Sequence, residues 1–183
     1  VEKNLKVWHK ATLVKLEREK DVWIAQIQMK DNTIKKIHAK ILIDGTELGD
    51  IAKICGVKYD VGMESRHDTK EDIGPEEKNN IVQDITYVAI LKDYGKDVTI
   101  PCPEGYNKDE FACACASHVC ITPKEPDRVW SKDMMITYGK LPNNKYMINW
   151  PIEGNDYYVN LIEMTREERE EALKYAKHYT MCF

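Results

Sequence analysis

The segment that most constrains this chain is residues 22–50. Val22, Ile24, Gln26 and Gln28 alternate with Trp23, Ala25, Ile27 and Met29, the period of a half-buried strand. Lys30-Asp31-Asn32 follows, residues that tolerate the left-handed backbone of a tight turn. Ile34 to Lys40 then reads as a returning strand. With the β-forming stretch Val7 to Leu16 and the polar break Glu19-Lys20-Asp21, this predicts a three-stranded meander. The meander runs into Ile41-Leu42-Ile43, an apolar triplet without alternation. Such a triplet predicts an inner strand covered on both faces, as in a parallel sheet.

Directly after it comes Asp44-Gly45-Thr46-Glu47-Leu48-Gly49-Asp50, small and acidic. Leu48, Ile51, Ala52 and Cys55 then share one face of a short helix that Gly56 stops. Strand, small-residue turn and helix is the arrangement at which α/β sheets seat ligands. It is equally the arrangement of a plain connection.

The 183 residues include 43% apolar side chains, enough for a core. The formal charge of -4, with no long Lys/Arg run, gives no electrostatic case for nucleic acid. No apolar run reaches the roughly 18 residues of a membrane span, and no signal peptide is visible in this chain. No membrane partner is expected, and a cytoplasmic location is favoured. Residues 66–80 read as a charged, solvated loop, functional or mobile by its length. Gln83 to Leu91 reads as a strand with Ile85, Tyr87 and Ala89 on one face. Asn107 with Glu110 opens a short helix through Cys115, and Tyr146 to Trp150 is a further strand. The clearest helix starts at Thr165, with Glu168 completing a capping box and Ala172, Leu173, Ala176 and Tyr179 as its apolar stripe.

Catalytic signals are sparse. Nucleophile-elbow, H-E-x-x-H, EF-hand, Walker A and G-x-G-x-x-G sequences are all absent, and His9, His38, His67, His118 and His178 are scattered. Cys113, Cys115, His118 and Cys120 are close in sequence, with Cys102 the only distant thiol near enough to complete a metal set. Buried free thiols, a disulfide and a zinc site are all open here, packing being the default. No metal is assigned.

The run Ala39 to Asp50 resembles flavoproteins of the glutathione-reductase-like superfamily, more narrowly bacterial FAD-dependent oxidoreductases of the xanthan-lyase-related type. Gly62-Met63-Glu64-Ser65, Gln83-Asp84-Ile85-Thr86-Tyr87, Ile148-Asn149-Trp150-Pro151 and Thr165-Arg166-Glu167-Glu168-Arg169 are similar to the same family. The resemblance implies an α+β fold in three parts. Residues 1–62 would be the meander and last inner strand of an FAD-binding domain lacking its G-x-G-x-x-G unit. Residues 63–164 would be a mixed-sheet substrate-side domain, and 165–183 the start of a helix returning to the FAD domain.

It also implies an internal fragment of an enzyme that passes a hydride or electron pair through FAD. Asp44, Gly45, Thr46, Gly49 and Asp50 would lie near the cofactor. Gly45 stands where the family more often has Ala, and Glu47 where the wider superfamily often has Gly. No catalytic residue is implied. The isolated chain is expected to be inactive and colourless. A small-molecule substrate is expected, carbohydrate-related among the candidates, and an uncovered strand edge leaves room for a homodimer of the chain. The rival reading is a stand-alone binding module, for carbohydrate among other ligands, using the four Trp and ten Tyr as stacking surfaces.

Overall fold

The structure is a computed structural model that describes residues 2–183. The chain divides into two compact units, Val1–Asp60 and Val61–Phe183. Both contain strands and helices, so the α+β expectation holds.

In the first unit β1 (Thr12–Glu19), β2 (Val22–Gln28) and β3 (Ile34–Ala39) form an antiparallel meander in that order. The polar break is a turn with Lys20 at positive φ. The second turn is built by Asp31, whose carboxylate accepts the Thr33 amide at 3.1 Å, with Asn32 at φ 63°. Ile24, opposite Glu17 and His38, is the buried centre of the sheet. Its burial contributes on the order of 2 kcal/mol. The first strand starts later than Val7, because Lys10 sits at φ 54° and interrupts the extended backbone.

The inner strand expected at Ile41-Leu42-Ile43 does not form. β3 ends at Ala39, and no strand lies beside residues 41–43. Ile41 and Ile43 are 78% and 85% exposed. An apolar triplet can be covered on both faces only if it has strand neighbours, and the described residues supply none. The helix that follows does form, as α1 (Asp50–Ile54), stopped by Gly56 in the left-handed region.

In the second unit β4 (Ile85–Thr86) pairs with β8 (Asp156–Tyr157). β5 (Ala89–Lys92) pairs with β7 (Lys145–Ile148), which also pairs with β6 (Lys140–Leu141). All these pairs are antiparallel, so the mixed sheet expected here is corrected. A parallel pair needs a long crossover, whereas β6 and β7 are joined by the tight turn Asn143-Asn144, both at positive φ. Three helices complete the unit: α2 (Arg66–Thr69), α3 (Lys132–Tyr138) and α4 (Arg166–Cys182). The capping box of α4 is present as expected, Thr165 and Glu168 exchanging hydrogen bonds. α4 packs on β4 and β8, its Tyr175 and Tyr179 rings against Tyr157 of β8, and its Ala176 is fully buried. No described helix is long and apolar enough to cross a membrane.

A buried asparagine organises this core. Asn155 Oδ1 accepts the Trp150 amide at 2.8 Å. Its Nδ2 donates to the carbonyls of Ile148 at 3.2 Å and Tyr87 at 3.3 Å. Thr180 of α4 donates to the same Tyr87 carbonyl at 2.7 Å. That use of Tyr87 explains why the expected strand Gln83–Leu91 breaks into β4 and β5: its middle carbonyl serves side chains, not a ladder. Trp150 donates from Nε1 to the Ala114 carbonyl at 2.6 Å and meets Trp130 edge-on at 5.4 Å.

The segment 107–120 is a short 3-10 turn, Lys108–Phe111, capped by Asn107, and not a helix through Cys115. A disulfide between Cys113 and Cys120 follows, and Ala116 donates to the Trp130 carbonyl, which holds the chain out of helical geometry. The disulfide replaces packed thiols as the state of two of the six cysteines. Among the described residues no metal-holding group of three or more His, Cys, Asp or Glu exists. The charged loop 66–80 is a folded clasp. Ser65 donates to the Glu76 carbonyl, Arg66 donates its amide to Pro75, and the Glu76 carboxylate pairs with Arg66 and His67.

Candidate functional site

The turn between β3 and α1 brings together all five residues singled out from the sequence. Asp44 Oδ1 accepts the Thr46 amide at 2.8 Å and the Thr46 hydroxyl at 2.7 Å. The Thr46 oxygen in turn accepts the amide of Asp50, the first residue of α1, at 2.8 Å. Asp44 Oδ2 reaches across to the Ala52 amide at 2.8 Å. Gly49, at φ 67°, makes the left-handed corner that starts the helix, a conformation L side chains rarely adopt. Its carbonyl accepts the Lys53 amide at 3.0 Å.

The same Asp-x-Thr geometry recurs at Asp31–Thr33 and Asp97–Thr99, so the turn alone signals nothing. What sets Asp44 apart is its second oxygen, bound into the first turn of a helix. A carboxylate there satisfies orphan amides and meets the positive end of the peptide dipoles. The Asp44 carboxyl is held below the ordinary range, first by the Thr46 hydroxyl, then by the amides of Thr46 and Ala52.

The loop's fit to a dinucleotide is therefore partial. The first amides of α1 are already taken by Asp44 and Thr46, so they cannot also cradle a pyrophosphate. Its outer face is open. A Cβ built at Gly45 or Gly49 would meet nothing within 4 Å, and Gly45, Thr46 and Glu47 are exposed. A ligand's ribose or phosphate can approach this backbone closely without displacing any side chain.

A second feature, in the other unit, is a cleft of about 640 Å³ that the sequence reading missed. Tyr157, Tyr175 and Tyr179 form one wall, with ring centroids 5.0 Å apart for Tyr157–Tyr175 and 5.8 Å for Tyr157–Tyr179. Tyr158 and Tyr175 are each about half exposed. Glu110, Asp84 and Asp156 bring carboxylates to the same space, and Lys124 a cation. Burial first, and the Glu110 charge second, hold the Tyr179 hydroxyl above its ordinary value. The i, i+4 spacing of Tyr175 and Tyr179 on α4 was the legible signal. The contribution of β8 could not be read, because a two-residue strand has no periodicity.

A family model described as FAD dependent oxidoreductase matches residues 1–181. No curated protein matches the chain, and no solved structure matches it.

Proposed function

Since the chain belongs to the FAD dependent oxidoreductase family, we propose that the Asp44–Asp50 turn approaches the flavin cofactor and that the tyrosine-lined cleft takes the substrate. FAD supplies the family's redox chemistry, accepting or delivering a hydride or an electron pair. Asp44 and Thr46 hold the turn's shape, Gly49 makes its corner, and Gly45 with Gly49 leaves the backbone open to the cofactor's ribose–phosphate region.

This turn is one part of the cofactor's seat. The pyrophosphate needs free amides at a helix start, and those of α1 are used internally. The chain by itself is thus expected to retain FAD poorly and to be inactive, its enzyme being a longer protein. The uncovered Ile41 and Ile43 support that reading, since their sequence suits a strand with neighbours on both sides. Pairing of two copies through this uncovered segment would give the homodimer that the sequence leaves room for.

The cleft suits a small polar substrate with an apolar face, as a carbohydrate-related molecule has. The half-exposed rings of Tyr158 and Tyr175 offer stacking surfaces, and the nearby carboxylates accept hydroxyl hydrogen bonds.

The observation that carries the oxidoreductase reading is the family match along the chain. Its test is the flavin absorbance of this chain and of the whole product of its reading frame. Each is mixed with FAD and passed through a desalting column. Flavin bands kept by the longer product and lost by this chain are expected. A longer product that also loses them sinks the assignment. A longer product with Gly49→Val should keep less flavin than its parent. Equal retention would remove the turn from the cofactor site.

A further inference from the structure

Four cysteines stay free beside the Cys113–Cys120 bridge: Cys55, Cys102, Cys115 and Cys182. One imidazole touches the Cys182 thiol and the backbone two residues beyond Cys102. His178 Nε2 lies 2.9 Å from the Glu104 carbonyl, two residues beyond Cys102. The same nitrogen lies 3.6 Å from Cys182 Sγ, one helical turn further along α4. The sulfur and the Glu104 carbonyl are therefore separated by no more than those two distances combined. A carbonyl only accepts, so Nε2 carries the hydrogen and has no lone pair left to accept from Cys182. His178 is thus not a base for Cys182. It is a donor that ties the segment ending at Glu104 to α4 beside Cys182.

We propose that Cys102 and Cys182 are a reversible dithiol–disulfide pair that, when oxidised, fastens the segment around residue 102 to the end of α4. Cys102 is exposed and meets the oxidant first; Cys182 is half-buried and resolves. The oxidant is a small-molecule disulfide. The Cys102 thiolate attacks one of its sulfurs, its S–S bond breaks, and one small thiol leaves. The Cys182 sulfur then attacks the Cys102 sulfur of the mixed disulfide and releases the second small thiol. Two protein thiols lose two electrons and two protons, and the small disulfide becomes two thiols. Burial is the main reason that the Cys182 thiol is held above its ordinary value, with the charges of Glu110 and Cys102 adding to it, which fits attack by Cys102 first.

The experiment treats the folded full chain with glutathione disulfide, quenches with acid, and maps peptides without reduction. A Cys102–Cys182 linked peptide is expected, returning to two thiols with dithiothreitol. Cys182→Ser should stop at a stable glutathione adduct on Cys102. Cys102→Ser should leave Cys182 unmodified over the same time. His178→Ala should slow closure several-fold while leaving formation of the first adduct unchanged, which a purely structural role would not do. A wild-type chain that holds glutathione on Cys102 while Cys182 stays free would overturn the proposal. So would a bridge from Cys102 to Cys115.

Discussion

Asp44 and Ala52 are joined across eight residues, the carboxylate Oδ2 of one accepting the backbone amide of the other at 2.8 Å. That one bond turns a common Asp-x-Thr turn into the foundation of a helix. It also explains how a five-residue helix with no buried residue persists, since so short a helix is marginal without such support.

Replacing Asp44 by Asn leaves one acceptor oxygen for two sets of donors and faces the other set with an NH₂ group. Amide exchange at Thr46 and Ala52 should quicken roughly fivefold, the effect of a lost helix cap. The wild-type carboxyl is held below its ordinary value by the Thr46 hydroxyl and then by the backbone amides. The folded pKa is the lower one, so the stabilisation is present above the unfolded carboxylate value. It is lost as the pH falls through the lowered folded value. Exchange measured down a pH series should show Ala52 losing protection below the ordinary carboxylate range. The Asn variant should show no such step.

Asn155 makes a different kind of claim, because it is fully buried and all its polar atoms are used. Asn155→Ala strands the Trp150 amide and the Ile148 carbonyl, at a cost of about 2 to 4 kcal/mol. The denaturation midpoint should fall with an unchanged slope. Asn155→Asp can still accept from Trp150 but cannot donate to Ile148 or Tyr87 while ionised. Its stability should therefore partly recover as the pH is lowered and the carboxyl gains a proton.

These two residues mark where the sequence was readable. The meander, the short helix stopped by Gly56 and the capping box at Thr165–Glu168 are local patterns, and local patterns stand in the sequence. So did the turn at Asp44–Asp50. Asn155 was invisible, because the partners that bury it include Tyr87 and Thr180, 68 and 25 residues away in sequence. The Cys113–Cys120 bridge was one of three open readings, since spacing alone does not distinguish bridged from packed thiols. The Ile41–Ile43 triplet shows the opposite failure. Its composition specifies an inner strand, but a strand is made by its neighbours, and none stands beside it here.

Gly139 sits where α3 ends and β6 begins, and a Cβ there would run into the Met147 carbonyl. That carbonyl cannot retreat, because the Met147 amide donates to the Gly139 carbonyl at 2.7 Å and the β5–β7 ladder runs through the same residue. Gly139→Ala should cost about 1 to 3 kcal/mol, the range of forced overpacking. The near-ultraviolet circular dichroism should change as well, since Trp150 and Tyr138 pack edge-on beside this corner. An unchanged spectrum with full stability would show that the α3–β6 corner can relax.

The Tyr179 phenol tests the field inside the cleft. Burial is the larger cause of its raised value, and the Glu110 and Asp156 charges add to it. Spectrophotometric titration should find one tyrosine ionising above the others, and Tyr179→Phe should remove that step. Glu110→Gln should lower the midpoint only partway, because burial remains. The sign for stability follows from the raised folded value. The neutral phenol is favoured in the fold, so the stabilisation is intact below the unfolded tyrosine value. It is lost as the pH rises through the higher folded one. If Glu110→Gln moved the midpoint the whole way back, charge rather than burial would govern the cleft. A substrate carrying a positive group would then suit it better than a neutral hydroxylated one.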